Sequence, residues 1–452
     1  MLSVREVRIR DTLSGELVAL HADREVGIYA CGPTVYSRIH VGNARPYVIP
    51  LLVSRFLAHE GYAPKLVINV TDINDKIYDA AREAGVGSAE HAQAMTRAYV
   101  EDTDRLGVGR PDAEPLASET VGGIVELIEE LIDSGHAYES GGDVYFRVRS
   151  FDGYGKLSNR DPDEMDQGEE AGSAQLKESS LDFALWKARK PGEDTAWPSP
   201  WGEGRPGWHI ECSAMAEKLL GTNFAIHSGG SDLVFPHHEN EIAQTEAARG
   251  VPLAEVWMHN GLVQLDEEKM SKSVGNIFQL SEAIDRFGAE AVVAYLTSGH
   301  YRQPLEFSER ALSDAQARTE RLRNYLEEPA ADGEDEPFVS ERLEEFLVAL
   351  ADDYNTPRAW AALFDLVSEG NRRPLPGGRE AVAEMVRLLG LESLLAARAT
   401  PVDAEAEALL AEREAARAQR DFEHADRIRD RLAAMGWEVR DTPEGARLRR
   451  RD

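Results

Sequence analysis

Residues 26–43 read VGIYACGPTVYSRIHVGN, and residues 44–70 continue ARPYVIPLLVSRFLAHEGYAPKLVINV. Residues 26–31 form a short apolar run of strand length, followed by a loop rich in turn formers. Residues 42–59 then carry helical periodicity that Gly61 ends, and residues 66–70 form a second apolar run. This pattern predicts a βαβ unit, two parallel strands joined through a covering helix.

Working outward, Asp72 is expected to cap a further helix, and residues 88–106 to form another. From 115 to 205 the character changes. VYFRV (144–148) reads as a strand, DPDEMDQGEEAGSAQLKESS (161–180) is acidic and turn-rich, and WPSPWGEGRPGW (197–208) is studded with Pro and Gly. That stretch reads as an insertion between two halves of one sheet. The α/β pattern resumes with a helix over 211–220, a strand over 223–227, a helix over 236–249 and a strand over 255–258. Beyond Gly288 strands nearly vanish, and EEPAADGEDEP (327–337) and RRPLPGG (372–378) read as linkers between amphipathic helices. A last helix places Phe422, Ala425, Ile428, Leu432 and Met435 on one face before Gly436.

The chain has 452 residues, 42% hydrophobic and 29% charged, which excludes disordered and collagen-like classes and gives room for about three domain-sized units. A net charge of −31 argues against unspecific binding to nucleic acid or anionic membrane. Only nine of the 50 basic residues are lysines. Two cysteines cannot build a disulfide scaffold, and MLSVREVRIRDT (1–12) lacks the apolar core of a signal peptide, so a cytoplasmic chain is expected. No run of about 18 apolar residues occurs, so no membrane span is expected.

Three segments could carry chemistry. His40 and Asn43 lie three apart at a helix start, where side chains and unbonded backbone N–H groups face one point and the helix dipole favours a phosphate; Gly42 permits close approach. A capped helix with a surface histidine fits that segment as well. Second, EEKMSKSVGN (267–276) places Lys269 and Lys272 three apart among small hydroxyl residues, a cationic loop suited to a triphosphate or, more plainly, a charged hairpin turn. No GxxxxGK[ST] loop occurs. Third, Cys31 and Cys212 combine with PHHENE (236–241), where His237 and Glu241 share a helix face. Two thiolates, an imidazole and a carboxylate suit tetrahedral zinc, although His238 with Glu239 or Glu241 fits the spacing too, and buried apolar cysteines are the ordinary alternative.

CGPTVYSRIHVGNARP (31–46) resembles the HIGH region of class I aminoacyl-tRNA synthetases in its cysteine-specific form, and KMSKS (269–273) matches the second class signature letter for letter. NVTDINDKI (69–77), GRPGWHIECSAM (204–215), FPHHENEIAQ (235–244) and the C-terminal DFEHADRIRDRL (421–432) with GWEVRDTPEGARLRR (436–450) resemble the cysteinyl-tRNA synthetase family. The resemblance implies an α/β fold: a Rossmann-like class I synthetase catalytic domain with an inserted connective segment, then a helical bundle and a small C-terminal anticodon-binding domain. The expected divisions are 1–114 and 206–258 for the two catalytic halves, 115–205 for the insertion, 259–310 for the KMSKS loop and stem-contact region, 311–400 for the bundle and 401–452 for the C-terminal domain.

The resemblance further implies ATP-dependent activation of L-cysteine and its transfer to the terminal ribose of tRNA(Cys), by a monomer. Zn²⁺ would be held by Cys31, Cys212, His237 and Glu241, and Mg²⁺ would accompany ATP. HIGH falls on His40, Val41, Gly42 and Asn43; the fourth position departs from the family's His, shifting weight to His40, Lys269 and Lys272. His40, Gly42, Asn43, Lys272 and His227 would bind ATP. Thr71 and Trp208 would line the amino-acid pocket, and for Trp208 a structural role fits equally. A thiolate bonding to zinc would separate cysteine from serine without an editing domain. A cysteine ligase acting on an aminosugar in mycothiol synthesis shares these signatures, and a catalytically silent paralogue is the other rival. From Arg420 onward nine arginines face eight acids, so Trp437, Arg447, Arg449, Arg450 and Arg451 are expected at tRNA.

Overall fold

The computed structural model describes residues 5–21, 25–162, 175–265, 268–269, 278–334, 336–396, 404–419, 421–442 and 445–450. The chain divides into two compact units, residues 1–395 and 396–452.

The first unit is built on a parallel four-stranded sheet. Its spatial order is Ala254–Asn260, Phe224–Gly230, Glu25–Ala30, Ala63–Ile68. The predicted βαβ unit is present: the Val41–His59 helix carries the chain from the Glu25–Ala30 strand to its neighbour at the sheet edge. The second half of the sheet is added on the opposite side of Glu25–Ala30, with Tyr29 level with His227 and Ala30 with Ser228. The winding direction therefore reverses between these two strands, which opens a crevice beyond their carboxyl ends.

Strand alternation sorts the residues around this crevice. Val26, Ile28 and Ala30 face one core, shared with the Val41–His59 helix and the later helices. Tyr29 and Cys31 face the other, with the Trp208–Leu220 helix and the insertion. The insertion is an antiparallel four-stranded meander of Ala137–Ser140, Asp143–Phe146, Phe183–Ala188 and Gly204–Pro206, preceded by the Val121–Asp133 helix. Its glycines permit close approach: a Cβ on Gly207 would stand 2.0 Å from the Ala184 carbonyl oxygen.

Asp72 does not cap the next helix. Asn74 does, accepting from the Lys76 N–H at 3.1 Å, while Asp72 accepts from the Ser118 N–H at 2.9 Å and ties the sheet edge to the insertion. Helices Glu309–Glu327, Pro337–Ala351, Thr356–Gly370 and Gly378–Leu388 complete the unit. No helix among the described residues is long and apolar enough to cross a membrane.

The second unit pairs helices Ala404–Ala418 and Phe422–Ala434 with a hairpin, Trp437–Thr442 and Gly445–Arg450. The hairpin stands in a region where strands were expected nearly to vanish. Its apolar residues, Trp437, Val439 and Leu448, alternate with charges over only a few positions, a short signal that the sequence reading passed over. Trp437 is buried with Ala406, Leu409, Ile428 and Leu432. Trp437, expected at tRNA, thus packs in this core instead of standing exposed. Phe422, expected on the buried face, is 60% exposed.

Candidate active site and metal centre

The reversal of winding places a cavity of about 310 Å³ at the carboxyl ends of the strands. Cys31 enters it directly after the Glu25–Ala30 strand. The chain then crosses Gly32, whose N–H donates to the Asn69 Oδ1 at 2.9 Å, and a Cβ there would stand 1.7 Å from the Asn69 carbonyl oxygen. Only glycine fits that crossing.

The loop ends at His40, the N-cap of the Val41–His59 helix. The His40 N–H donates to the Asn43 Oδ1 at 3.2 Å, so Asn43 fastens the helix start. A Cβ on Gly42 would lie 2.9 Å from the Cε1 and Nδ1 of His40, so the missing side chain is what lets the imidazole fold over the first turn. His40, Gly42 and Asn43 all line the cavity, beside backbone N–H groups that the helix leaves without intrahelical partners.

Across the cavity Cys31, Cys212 and His237 line the wall, and Glu241 lies behind them. Cys31 Sγ is 3.8 Å from Cys212 Sγ and 3.6 Å from Glu241 Oε1, and His237 Nε2 is 3.0 Å from the same Oε1. All four donor atoms lie within 4.8 Å of one another, and all four residues are buried. A hydrogen bond from Cys31 brings the Cys212 thiol down to about 6 against the effect of burial. Burial raises Glu241, but the His227 and His237 rings outweigh it and hold the carboxyl at about 2. Burial lowers His237, and the charges of Glu241 and Cys212 reverse that, lifting it to about 10. Burial, then Cys212, pushes the Cys31 thiol well up. Two anions therefore face groups that surrender protons to a bound cation, and the mixed thiolate, imidazole and carboxylate set fits zinc.

A second combination, Cys31, His227, His238 and Glu241, brings its donor atoms equally close. His238, however, does not line the cavity as His237 does; its Nδ1 lies 2.8 Å from His259 Nε2, which continues to Thr12. Glu239, the other carboxylate that the spacing allowed, accepts from the N–H groups of Gly155 at 2.9 Å and Ser158 at 2.8 Å and so anchors the insertion. His237 is held by Trp208, whose ring stacks on it at 4.3 Å, and by His209, Nδ1 to Nδ1 at 2.9 Å. The cavity wall thus favours Cys31, Cys212, His237 and Glu241 as the ligand set.

Thr71 and Trp208 line the cavity with these groups. His227, expected at ATP, does not: it is fully buried, its Nε2 2.8 Å from Glu241 Oε2. Lys269 lies on the short Glu268–Lys269 strand, level with Gln264. Lys272 and Arg451 lie outside the described residues, and Arg447, Arg449 and Arg450 lie on the second strand of the C-terminal hairpin. Tyr36, Lys76, Asp232 and Asn260 also line the cavity and escaped the sequence reading. The rarity of lysine was the one signal that could have marked Lys76. The gathering of His209, His227, His237, His238 and His259, five of the twelve histidines, had no sequence signal, because they arrive from four separate elements.

A family model described as tRNA synthetases class I (C) catalytic domain matches residues 17–317, a DALR domain model matches 345–393, and a cysteinyl-tRNA ligase anticodon binding domain model matches 399–449. A cysteine–tRNA ligase of Symbiobacterium thermophilum is 47% identical over 449 residues, covering 94% of this chain and 95% of that protein. One from Halorhodospira halophila is 48% identical over 441 residues, with the same coverage. Among solved structures, Mycobacterium tuberculosis methionyl-tRNA synthetase in complex with methionyl-adenylate superposes with a TM-score of 0.59 at 16% identity. It covers 82% of this chain and 89% of that one, a likeness of fold.

Proposed function

The chain belongs to the cysteine–tRNA ligase family of class I aminoacyl-tRNA synthetases, and from that membership we propose how its own residues divide the work of joining L-cysteine to tRNA(Cys). The observation that carries the reading is the meeting, in one cavity, of a helix start bearing His40 and Asn43 with the cluster of Cys31, Cys212, His237 and Glu241.

The cysteine carboxylate attacks the α-phosphate of ATP, pyrophosphate leaves, and the terminal ribose of the tRNA then takes the aminoacyl group from the adenylate. No protein nucleophile is required. His40, the N–H groups of the helix start, Lys269 and Lys272 stabilise charge on the phosphates, while Asn43 and Gly42 hold His40 in place. ATP arrives as its Mg²⁺ complex. Losing one such contact costs on the order of 10²–10³ in rate.

Thr71 and Trp208 bound the amino-acid end. Cys31, Cys212, His237 and Glu241 would hold Zn²⁺, which when bound offers a substrate thiolate a soft contact that a serine hydroxyl matches poorly. His227 keeps Glu241 oriented. The halves 1–114 and 206–258 supply the catalytic sheet, 115–205 the insertion and 259–310 the KMSKS loop and stem-contact region. The bundle, 311–400, and the C-terminal unit, with Arg447, Arg449, Arg450 and Arg451, serve the tRNA, in a monomer.

Cysteine-dependent ATP–pyrophosphate exchange followed by charging of tRNA with cysteine tests this reading. Both are expected. Exchange without charging would assign the chain to a small-molecule acceptor, and efficient activation of serine would sink the thiolate–zinc account of selectivity.

A further inference from the structure

Arg45 stands two residues beyond Asn43 on the Val41–His59 helix and is fully buried. Its Nη1 donates to the carbonyl oxygens of Gly261 and Gln303, each at 2.6 Å, and its Nη2 to that of His300 at 3.0 Å. Among the described residues no carboxylate pairs with it, and burial pulls the guanidinium down to about 10. A cation is a costly filler for such a site, but only a planar fork of donors spans three carbonyls from two segments.

Those two segments form the root of a small sheet. The Gly261 N–H donates to the Tyr301 carbonyl oxygen at 2.8 Å, and a Cβ on Gly261 would stand 2.3 Å from the Gln303 carbonyl carbon. Just beyond, Val263 lies level with Leu305 and Gln264 with Glu306, and Gln264 pairs on its other side with Lys269. The far face of the 300–303 turn is gripped by Asp353, which accepts from Tyr301 Oη at 2.6 Å, Arg302 Nε at 2.7 Å and the Arg10 N–H at 2.9 Å. Asp353 does this with its backbone and that of Tyr354 left-handed, φ 61° and 47°, a conformation that two successive non-glycine residues keep only where surrounding contacts impose it.

We propose that Arg45 is a positioning residue for ATP: its clasp on Gly261, His300 and Gln303 sets where the hairpin carrying Lys269 stands relative to His40. The inference rests on the reading above that Lys269 meets the phosphates. It adds a residue that touches no substrate and acts through the root of the hairpin.

The test is Arg45→Lys, which keeps the charge and loses the fork, assayed by ATP–pyrophosphate exchange on the zinc-loaded full chain. The KM for ATP is expected to rise roughly tenfold while the KM for cysteine stays within about twofold. In a Lys269→Ala background the same substitution is expected to add less than about twofold, because both act through one contact. Asp353→Asn loosens the turn from its other face and is expected to give the same ATP-selective weakening in smaller measure, which serves where Arg45→Lys fails to fold. Equal increases for both substrates, or full additivity with Lys269→Ala, would overturn the proposal. An unchanged KM for ATP in Lys269→Ala alone would overturn the reading of Lys269 and this inference with it.

Discussion

The Nε2 of His227 lies 2.8 Å from the Oε2 of Glu241, with both residues fully buried. Glu241 is thereby gripped through one oxygen, while its Oε1 faces Cys31 Sγ and His237 Nε2. Partners of this kind orient a metal-binding carboxylate and commonly carry a factor of about 10–100 in metal affinity. His227→Ala should weaken Zn²⁺ binding by that factor, read by competition with a chromogenic chelator, while the KM for ATP stays unchanged. A selective loss of ATP binding with zinc affinity intact would return His227 to the nucleotide.

Gly42→Ala separates stability from activity. The substitution reduces the freedom of the unfolded chain in a helical position, worth about 0.5 kcal/mol in favour of the fold. Its Cβ, however, would meet the His40 ring at 2.9 Å and force it off the first turn. We expect a thermal midpoint equal to or above that of the parent, with kcat/KM for ATP down roughly 10²-fold as one phosphate contact is lost. Full activity with the methyl in place would show that His40 needs no seat on Gly42.

Acid should loosen the first unit through its neutral histidines. Burial, with His227 beside it, depresses His259 to about 3, and burial depresses His209 and His238 in the same direction. In the unfolded chain a histidine takes up a proton near pH 6.5, so below that value the unfolded state binds more protons than the folded one. The contribution of His259 is complete above pH 6.5 and is lost progressively as pH falls towards 3. It amounts to about 2 kcal/mol between pH 6.5 and 5. Urea midpoints measured at both pH values with chelator present should show that slope, and His259→Asn should flatten it.

The C-terminal unit offers a contrast between core and contact. Trp437→Ala empties a buried site and should cost about 3 kcal/mol, melting residues 396–452 ahead of the rest, whereas the exposed Phe422→Ala should stay within about 0.5 kcal/mol. Calorimetry distinguishes the two, and a Trp437→Ala chain that melts like the parent would restore the ring to base stacking.

Neutralising Arg447, Arg449, Arg450 and Arg451 together should reduce the salt dependence of tRNA binding by a log–log slope of about 3 and weaken charging, with cysteine activation intact. Equal loss of both activities would refute the assignment of that end to tRNA. The net charge of −31 is compatible with this arrangement because a few local arginines suffice for one specific partner.

The βαβ unit, the interruption of the sheet and the groups gathered at the cavity are legible in the amino-acid order alone. Apolar periodicity and turn chemistry are local properties, and Cys31, His40, Gly42, Asn43, Cys212, His237 and Glu241 sit in short, distinctive segments. Long-range packing selects which of those groups face one another. The spacing of PHHENE left Glu239, Glu241, His237 and His238 as alternatives. The choice came from packing distant in the chain: the amides of Gly155 and Ser158 engage Glu239, His238 lies off the cavity wall against His259, and Trp208 and His209 hold His237 on it. His227 and Trp437 looked like ligand contacts because their chemistry suits the role. Both are buried, and burial depends on how elements far apart in sequence pack. The fork of Arg45 across two segments more than 200 residues away in the chain is of the same kind, a long-range contact that no local pattern encodes.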